Sequence, residues 1–341
     1  MGLRVAYVYE GVGTSLHRAA AIERCGHTVG TFRSKKLQGL GRLAARFHWQ
    51  TGGTWIGKSV SDELWAEIGK DKWDVLWVDQ GRYVSRHLLD RARAVGTKTV
   101  LLNQDDPYGT RDGNSWALFR KTLRAYDLAV VFREPNIGEA KALGAPDVMR
   151  VWFGCDEVAH APRQFAESDL AGFRSDVLFL GTWFPERGPL LLALADKGIE
   201  PTIVGARWDK APEWPQLQRF HRGGATKSDD EYAKWIQGAK ICIGLVSKGN
   251  RDEHTTRSME IPALGSLLCA ERTGDHMRLY EDGSEAIFWD DVDECATRCA
   301  ALLAEPGRIA RISAAGHARM LANHVGNQDM ASAILARLGF E

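Results

Sequence analysis

Between Lys248 and Glu260 the chain gathers Lys248, Arg251, Asp252, His254, Arg257 and Glu260 around a polar loop, SKGNRDEHTT, that leads into the helix-like run RSMEIPALG. Cations ahead of a helix suit a polyanion, because the first helical turn adds unpaired N–H groups and the positive end of the dipole. Glu260 stands between Met259 and Ile261, and a lone carboxylate with apolar neighbours suits two hydroxyl donors, such as the diol of a ribose. The plainer alternative is a surface helix pair of Arg257 with Glu260, three positions apart. Asp252 and His254 are residue types that move protons, although an aspartate in a loop also caps its own turn.

A second cluster, GTWFPERG, runs from Gly181 to Gly188. It sets Gly181 and Thr182 directly after an apolar strand and Arg187 at the mouth of a helix, the arrangement by which a sheet edge receives a diphosphate. The helix dipole disfavours a cation there unless an anion is bound, so Arg187 is either an anion ligand or a tolerated surface charge. Arg222, Gly223 and Gly224 follow a short strand and leave room for a flat base against backbone, or form a plain turn. At NQDDPYG, Asp105 and Asp106 end another strand and are candidates for a general base or for binding hydroxyls, against the alternative of a solvated Asp-Pro turn. The glycines of EGVGT, Gly11 to Thr14, resemble a dinucleotide fingerprint only in part, since Leu16 stands where a third glycine belongs.

The elements that must position these groups alternate strand and helix. In the first half the pattern predicts strands at LRVAYVY, HTVGTF, Trp73–Val78, Thr97–Leu102, Leu128–Phe132 and Val148–Trp152, with helices at Ser15–Cys25 and Ser85–Ala94. The grammar restarts at DVLFLG, with strands at PTIVG, Ile241–Leu245, SLLCA and AIFW, and ends in helices at Val292–Leu303, Pro306–Asn323 and Gln328–Leu338. This reads as α/β with parallel sheets, whose ligands bind at the strands' C-terminal ends. At 341 residues the chain fits two domains, 1–158 and 159–341, joined near the polar stretch Gly154–Asp169.

The residues N-R-D-x-H-T-x-R-S-x-E-I-P-A-x-G, followed by A-E-R-T and E-D-G-x-E-A, resemble the C-terminal signature of the CgeB-like glycosyltransferases. That resemblance implies the GT-B architecture, two Rossmann-like doubly wound domains facing across a cleft, with the last helix crossing back to the N-terminal domain. It implies a nucleotide-diphosphate sugar as donor, a UDP-sugar first, bound by the C-terminal domain, with the acceptor on the N-terminal one. In related retaining enzymes the segment at Gly181 reads like G-R-x-x-x-x-K-G; Arg187 matches the second cation, Thr182 replaces the first, and Lys248, Arg251 or Arg257 must supply the missing charge. The relatives' paired acids, eight positions apart, map onto Asp252 and Glu260. The expected chemistry is metal-independent transfer, leaning toward retention, with Asp106, Asp252 and His254 as catalytic candidates; inversion would need a protein base such as Asp106. A nucleotide-sugar epimerase and a non-catalytic partner of the same fold are the alternatives, and a dehydrogenase is weaker than either.

Composition bounds the partners. Lys and Arg balance Asp and Glu at 44 each, so no global field draws nucleic acid. No apolar run is long enough to span a bilayer, the start of the chain suggests no leader, and the six cysteines lack a C-x-x-C pair, which suits a reducing cytoplasm and argues against zinc. DDVDE at Asp290–Glu294 contains an Asp-x-Asp, read as the acidic opening of a helix rather than a metal site. The segment Arg33–Lys58 carries six Lys or Arg and no acid, interleaved with Leu37, Leu40, Leu43 and Phe47. It is either a solvated helix with a core face, a grip for an acidic acceptor, or a contact with an anionic membrane.

Overall fold

The computed structural model describes Gly2–Gly11 and Gly13–Phe340; Val12 of the EGVGT motif lies outside the described residues. The first sheet is built from β1 (Arg4–Val8), β2 (Thr28–Phe32), β3 (Val75–Asp79), β4 (Lys98–Leu102), β5 (Leu128–Val131) and β6 (Val148–Arg150), in the order β2-β1-β3-β4-β5-β6. Every pairing is parallel, with Val5 opposite both Val29 and Val75. Parallel strands are covered on both faces, which is why β3, Val-Leu-Trp-Val-Asp, is buried along its whole length. The covering helices are α1 (Thr14–Arg24), α2 (Lys35–Gln38), α3 (Arg42–Gln50), α4 (Gly57–Ile68), α5 (Arg86–Ala94), α6 (Ala117–Thr122) and α7 (Glu134–Ala142).

The second sheet comprises β7 (Ser175–Leu180), β8 (Pro201–Val204), β9 (His221–Gly223), β10 (Ala239–Gly244), β11 (Leu268–Glu271) and β12 (Ile287–Trp289), in the order β12-β11-β10-β7-β8-β9 and again parallel. Its helices are α8 (Glu167–Leu170), α9 (Arg187–Asp196), α10 (Trp214–Leu217), α11 (Asp229–Gly238), α12 (Thr256–Ala263), α13 (Gly274–Leu279), α14 (Val292–Leu303) and α15 (Pro306–Ala322). The strand order reverses between β7 and β10, and the loops leaving those two strands are the ones that a doubly wound sheet offers to a ligand. Both chemical clusters of the second half lie on these loops.

The chain divides into two compact units, one of residues up to Trp152 with Gly249–Arg251 and the segment from Asn327, the other of Phe153–Lys248 and Asp252–Gly326. The last helix, α16 (Asn327–Arg337), belongs to the first unit, where it packs on α1. Arg337 makes two hydrogen bonds to Asp147, at 2.7 and 2.9 Å. Asp291 caps α14 by accepting from the Glu294 amide at 2.9 Å, the helix-opening role expected of the Asp-x-Asp.

The basic segment departs from expectation. Leu37 and Leu40 pack against the first core and Ile56 belongs to it, but α3 buries none of its residues, so the core-face reading fails over α3.

Candidate active site

At the end of β7 two guanidinium groups bracket Gly181. Arg187 Nη1 donates to the carbonyl of Thr182 at 2.7 Å, and Arg257 Nε donates to the carbonyl of Leu180 at 3.1 Å. Glycine is required where this edge meets the next, because a Cβ on Gly205 would lie 1.9 Å from the Gly181 oxygen. The indole of Trp208 donates to the same oxygen at 3.0 Å and fixes the turn.

The two arginines differ in what balances them. Arg257 forms an ion pair with Glu260 within one helical turn, and its guanidinium lies over the Tyr232 ring at 4.9 Å. Burial works against its charge, yet Tyr232 and Glu260 hold its pKa above the usual arginine value. Arg187 is only 9% exposed and makes no ion pair among the described residues. Its guanidinium sits over Phe184 at 4.5 Å and Phe179 at 5.4 Å, and its buried Nε has no hydrogen-bond partner. Burial first, and then the repulsion of Arg257, pull its pKa below the usual arginine value, to about 10. A buried cation without a counter-ion, with a donor left unused, is the state that a bound anion relieves.

Glu260 is buried and more heavily engaged than its sequence position suggests. Besides Arg257, its Oε2 accepts from the Tyr232 hydroxyl at 2.6 Å, while Oε1 stands 3.6 Å from His160 Nε2. Burial would raise its pKa, but Arg257, His160 and Tyr232 together hold it below the usual glutamate range. The Arg257–Glu260 pair therefore exists, as a buried pair rather than a surface one. Tyr232 lies on α11, and His160 lies in the stretch that reads as a linker, so neither carried a local signal.

The remaining candidates fall in different places. Lys248 pairs with Glu271 at 2.6 Å at the β10 and β11 edge. Asp252 lies close enough to Arg187 for its charge to act on that guanidinium, and its amide donates to the Ser247 carbonyl at 3.1 Å. Gly223 ends β9, its carbonyl accepting from the Gly205 amide at 2.9 Å; a Cβ on Gly224 would meet nothing within 4 Å.

Three sequence expectations are corrected by these contacts. His254 is not poised for catalysis: its Nε2 accepts from the Phe153 amide at 3.0 Å, so Nδ1 carries the proton toward Asp275 at 2.8 Å, and the ring is buried. Arg251 spends its donors on carboxylates of its own unit. It belongs to the first unit, where Nε and Nη2 reach Asp106 at 2.5 and 2.9 Å and Nη1 reaches Glu139 at 2.8 Å. Asp106, in turn, is no candidate base. It is buried, accepts also from the Tyr108 and Gly109 amides and from Asn136, and is held below the usual aspartate range: burial opposes ionisation, but the Arg251 bonds outweigh it. A carboxylate with its lone pairs filled by donors is a weak base.

In the first unit the C-terminal edge of the sheet holds a different acid. Glu10 follows β1, and its Oε1 accepts from the Tyr83 amide at 3.2 Å. Burial raises its pKa to about 7, against the opposing pull of Arg82 and the Tyr83 bond. Nearby, Asp79 binds Tyr7 at 2.5 Å and Arg18 at 2.7 and 2.9 Å through Oδ2 alone. Asp79 Oδ1, Asn103 Nδ2 and Arg82 Nη1 are buried without a partner, so this edge has unspent donors and acceptors. Sequence reasoning passed over Glu10; its place directly after the first strand was the available signal. Among the described residues the one grouping with metal-ligand spacing is Cys269, Cys295 and Cys299, whose sulfurs lie within 4.8 Å of one another, buried in the second core.

Residues 187–335 match the family described as Glycosyl transferase-like. Over that span the chain is similar to glycosyltransferase domains. The whole fold is that of solved GT-B structures: sucrose-phosphate synthase from Thermosynechococcus elongatus (TM-score 0.72, 13% identity, 98% of each chain covered), the Anabaena HepE protein in complex with UDP and glucose (0.66, 12%, 99% of each), and the α,α-trehalose 6-phosphate synthase from Burkholderia multivorans (0.65, 11%, 98% of this chain and 97% of that one). No curated protein matches the chain in sequence. No helix among the described residues is long and apolar enough to cross a membrane.

Proposed function

We propose that this enzyme transfers a sugar from a UDP-sugar to an acceptor hydroxyl, with retention and without a metal ion, and that it belongs to the CgeB-like branch whose residue pattern it carries. The observation behind this is Arg187, a buried guanidinium with an unused Nε and no ion pair among the described residues, standing beside Arg257 at the strand-order reversal. The diphosphate lies at Gly181, where Arg187 and Arg257 neutralise the charge that grows on the departing phosphate, the work a divalent cation would otherwise do. Glu260 keeps Arg257 in place through Oε2 and offers Oε1 to a ribose hydroxyl; the open backbone at Gly223 and Gly224 takes the base. The solved Anabaena relative with bound UDP-glucose supports this donor class.

The acceptor binds the first unit, at the edge bearing Glu10, Asp79 and Asn103. In a retaining course its proton passes to the leaving phosphate oxygen, so Glu10 need only hold the hydroxyl. The chain works in the cytoplasm, where its thiols stay reduced.

The test is a calorimetric and thermal-shift titration with UDP, GDP and dTDP, followed by mass spectrometry of UDP-sugars incubated without acceptor. UDP should stabilise the protein, Glu260→Ala should weaken that binding, and slow release of free sugar should follow. Silence with all three nucleotides sinks the donor assignment. Interconversion of donors without sugar release would instead favour the epimerase reading.

A further inference from the structure

The segment around α3 presents apolar side chains to solvent that a soluble surface has no use for. Four of the ten exposed large apolar residues among those described fall between Leu43 and Trp55: Leu43 at 85% exposure, Trp55 at 76%, Phe47 at 49% and Trp49 at 41%. On the helix, Leu43 and Phe47 are four apart and form one stripe, while Arg42, Arg46 and Trp49 form the stripe beside it. The less exposed members, Ala44 and His48, mark the side turned toward the short turn Gly113–Trp116, against which α3 rests. The Arg42 and Arg46 stripe therefore faces away from the protein, and the apolar stripe lies beside it on an exposed flank of the helix, where an ordinary surface helix is polar.

Charge identifies what covers it. From Arg33 to Lys58 there are six Lys or Arg and no Asp or Glu. Lys58 is neutralised by Asp62 from the next helix turn, but Lys35, Arg42 and Arg46 make no ion pair among the described residues. Exposed Trp, Phe and Leu interleaved with unpaired cations match the two layers of an anionic bilayer surface, acyl boundary and phosphate headgroups. A protein partner would need a patch both apolar and acidic; the bilayer supplies both everywhere.

We propose that α3 and the following loop dock this protein on an anionic lipid bilayer, with Leu43, Phe47, Trp49 and Trp55 entering the interface and Arg42 and Arg46 on the headgroup phosphates. The docking face adjoins the edge that holds Glu10. Arg82 lies 6.0 Å from the Trp49 ring, a Cβ on Gly53 would lie 2.7 Å from the Tyr83 ring, and the Tyr83 amide binds Glu10. Docking therefore brings the acceptor edge to the lipid surface, so the acceptor class is an amphiphile held in that surface. This last step rests on the proposed function; the docking does not.

Sedimentation with phosphatidylcholine vesicles, with and without phosphatidylglycerol, tests it on the full chain. The wild type should pellet with the anionic vesicles, less so at high salt. Arg42→Glu with Arg46→Glu should lower the partition at least about 25-fold, taking roughly fivefold for each cation lost at the surface, and Leu43→Ser with Trp55→Ser should abolish it. Both variants should keep the wild-type UDP thermal shift, because the changed side chains are exposed and lie outside the unit that binds the nucleotide. The proposal is overturned if the wild type ignores anionic vesicles, or if either variant binds as well as the wild type. It is equally overturned if analytical ultracentrifugation shows a lipid-free dimer that Leu43→Ser with Trp55→Ser dissolves, since a second copy would then cover the face. Loss of the UDP shift in every form, with vesicle binding intact, would sink the donor reading and leave the docking standing.

Discussion

Replacing Arg187 by Met should make the empty protein more stable while it loses its nucleotide. The fall of the Arg187 pKa from the usual arginine value to about 10 corresponds to roughly 3 kcal/mol of disfavoured charge. That penalty is present in full at every pH below about 10, because both folded and unfolded chains are then protonated. It is relieved only as pH rises from there toward the usual arginine value. Methionine fits the sleeve between Phe179 and Phe184 without a charge. It forfeits the 2.7 Å bond to the Thr182 carbonyl, about 1 kcal/mol, leaving a net gain of about 2 kcal/mol. For a unit of this size that is roughly 4–8 °C in Tm. Against this, the variant loses charge-assisted bonds to the diphosphate, about 1.5–3 kcal/mol, so UDP should bind roughly 10- to 150-fold more weakly. Scanning calorimetry with and without UDP, at pH 7 and low salt, reads both quantities. A variant that melts lower than wild type yet binds UDP as tightly would refute the reasoning, since Arg187 would then be a structural cation.

Two further outcomes follow from the first unit. Arg251→Ala strips Asp106 of its ion pair; because the Arg251 side chain is 39% exposed, the loss should be about 2 kcal/mol rather than the larger cost of breaking a fully buried pair, measured by urea unfolding at pH 7. Asp106 titrates lower in the folded chain, so this stabilisation is complete above about pH 4 and fades as pH falls through the folded value; the gap between variant and wild type should close there. Glu10 has the opposite sign. Its folded pKa of about 7 means stability declines as pH rises from about 4.3 to 7, by up to about 2 kcal/mol after solvent screening. Glu10→Gln should remove that slope, and with it any activity inflection near neutral pH; a slope that persists in the variant rules Glu10 out as its source.

Local pattern carried the architecture because it depends on neighbours in sequence. The helix expected at Val292–Leu303 spans those residues, since its apolar face repeats at helical spacing and Asp291 is a strong cap. The strand expected at Val148–Trp152 ends at Arg150; the Val151 amide makes the last bond to β5, at the Val131 carbonyl, and the apolar composition runs on past it. Gly181 and Arg187 were legible for the same reason: a glycine after a strand and a cation before a helix are both marked within a few positions.

The chemistry of individual side chains depended on what reached them from afar. Asp106 looks like a base in NQDDPYG, and becomes an inert anchor because Arg251, 145 positions away, fills its lone pairs. Glu260 looks unpartnered between two apolar residues, and is enclosed by Tyr232 and His160 from elsewhere in the chain. Cys269 meets Cys295 and Cys299 only when β11 packs under α14. By itself, then, the sequence determined the alternation of strands and helices, the two parallel sheets and the glycine edge at Gly181 with a cation at the mouth of the next helix, since these follow from periodicity and turn chemistry. Tertiary structure alone decided which charges stay uncompensated: Arg187 is left without an ion pair among the described residues and Arg251 is taken by two carboxylates, because burial and hydrogen bonding are settled by the surroundings that folding assembles around each group.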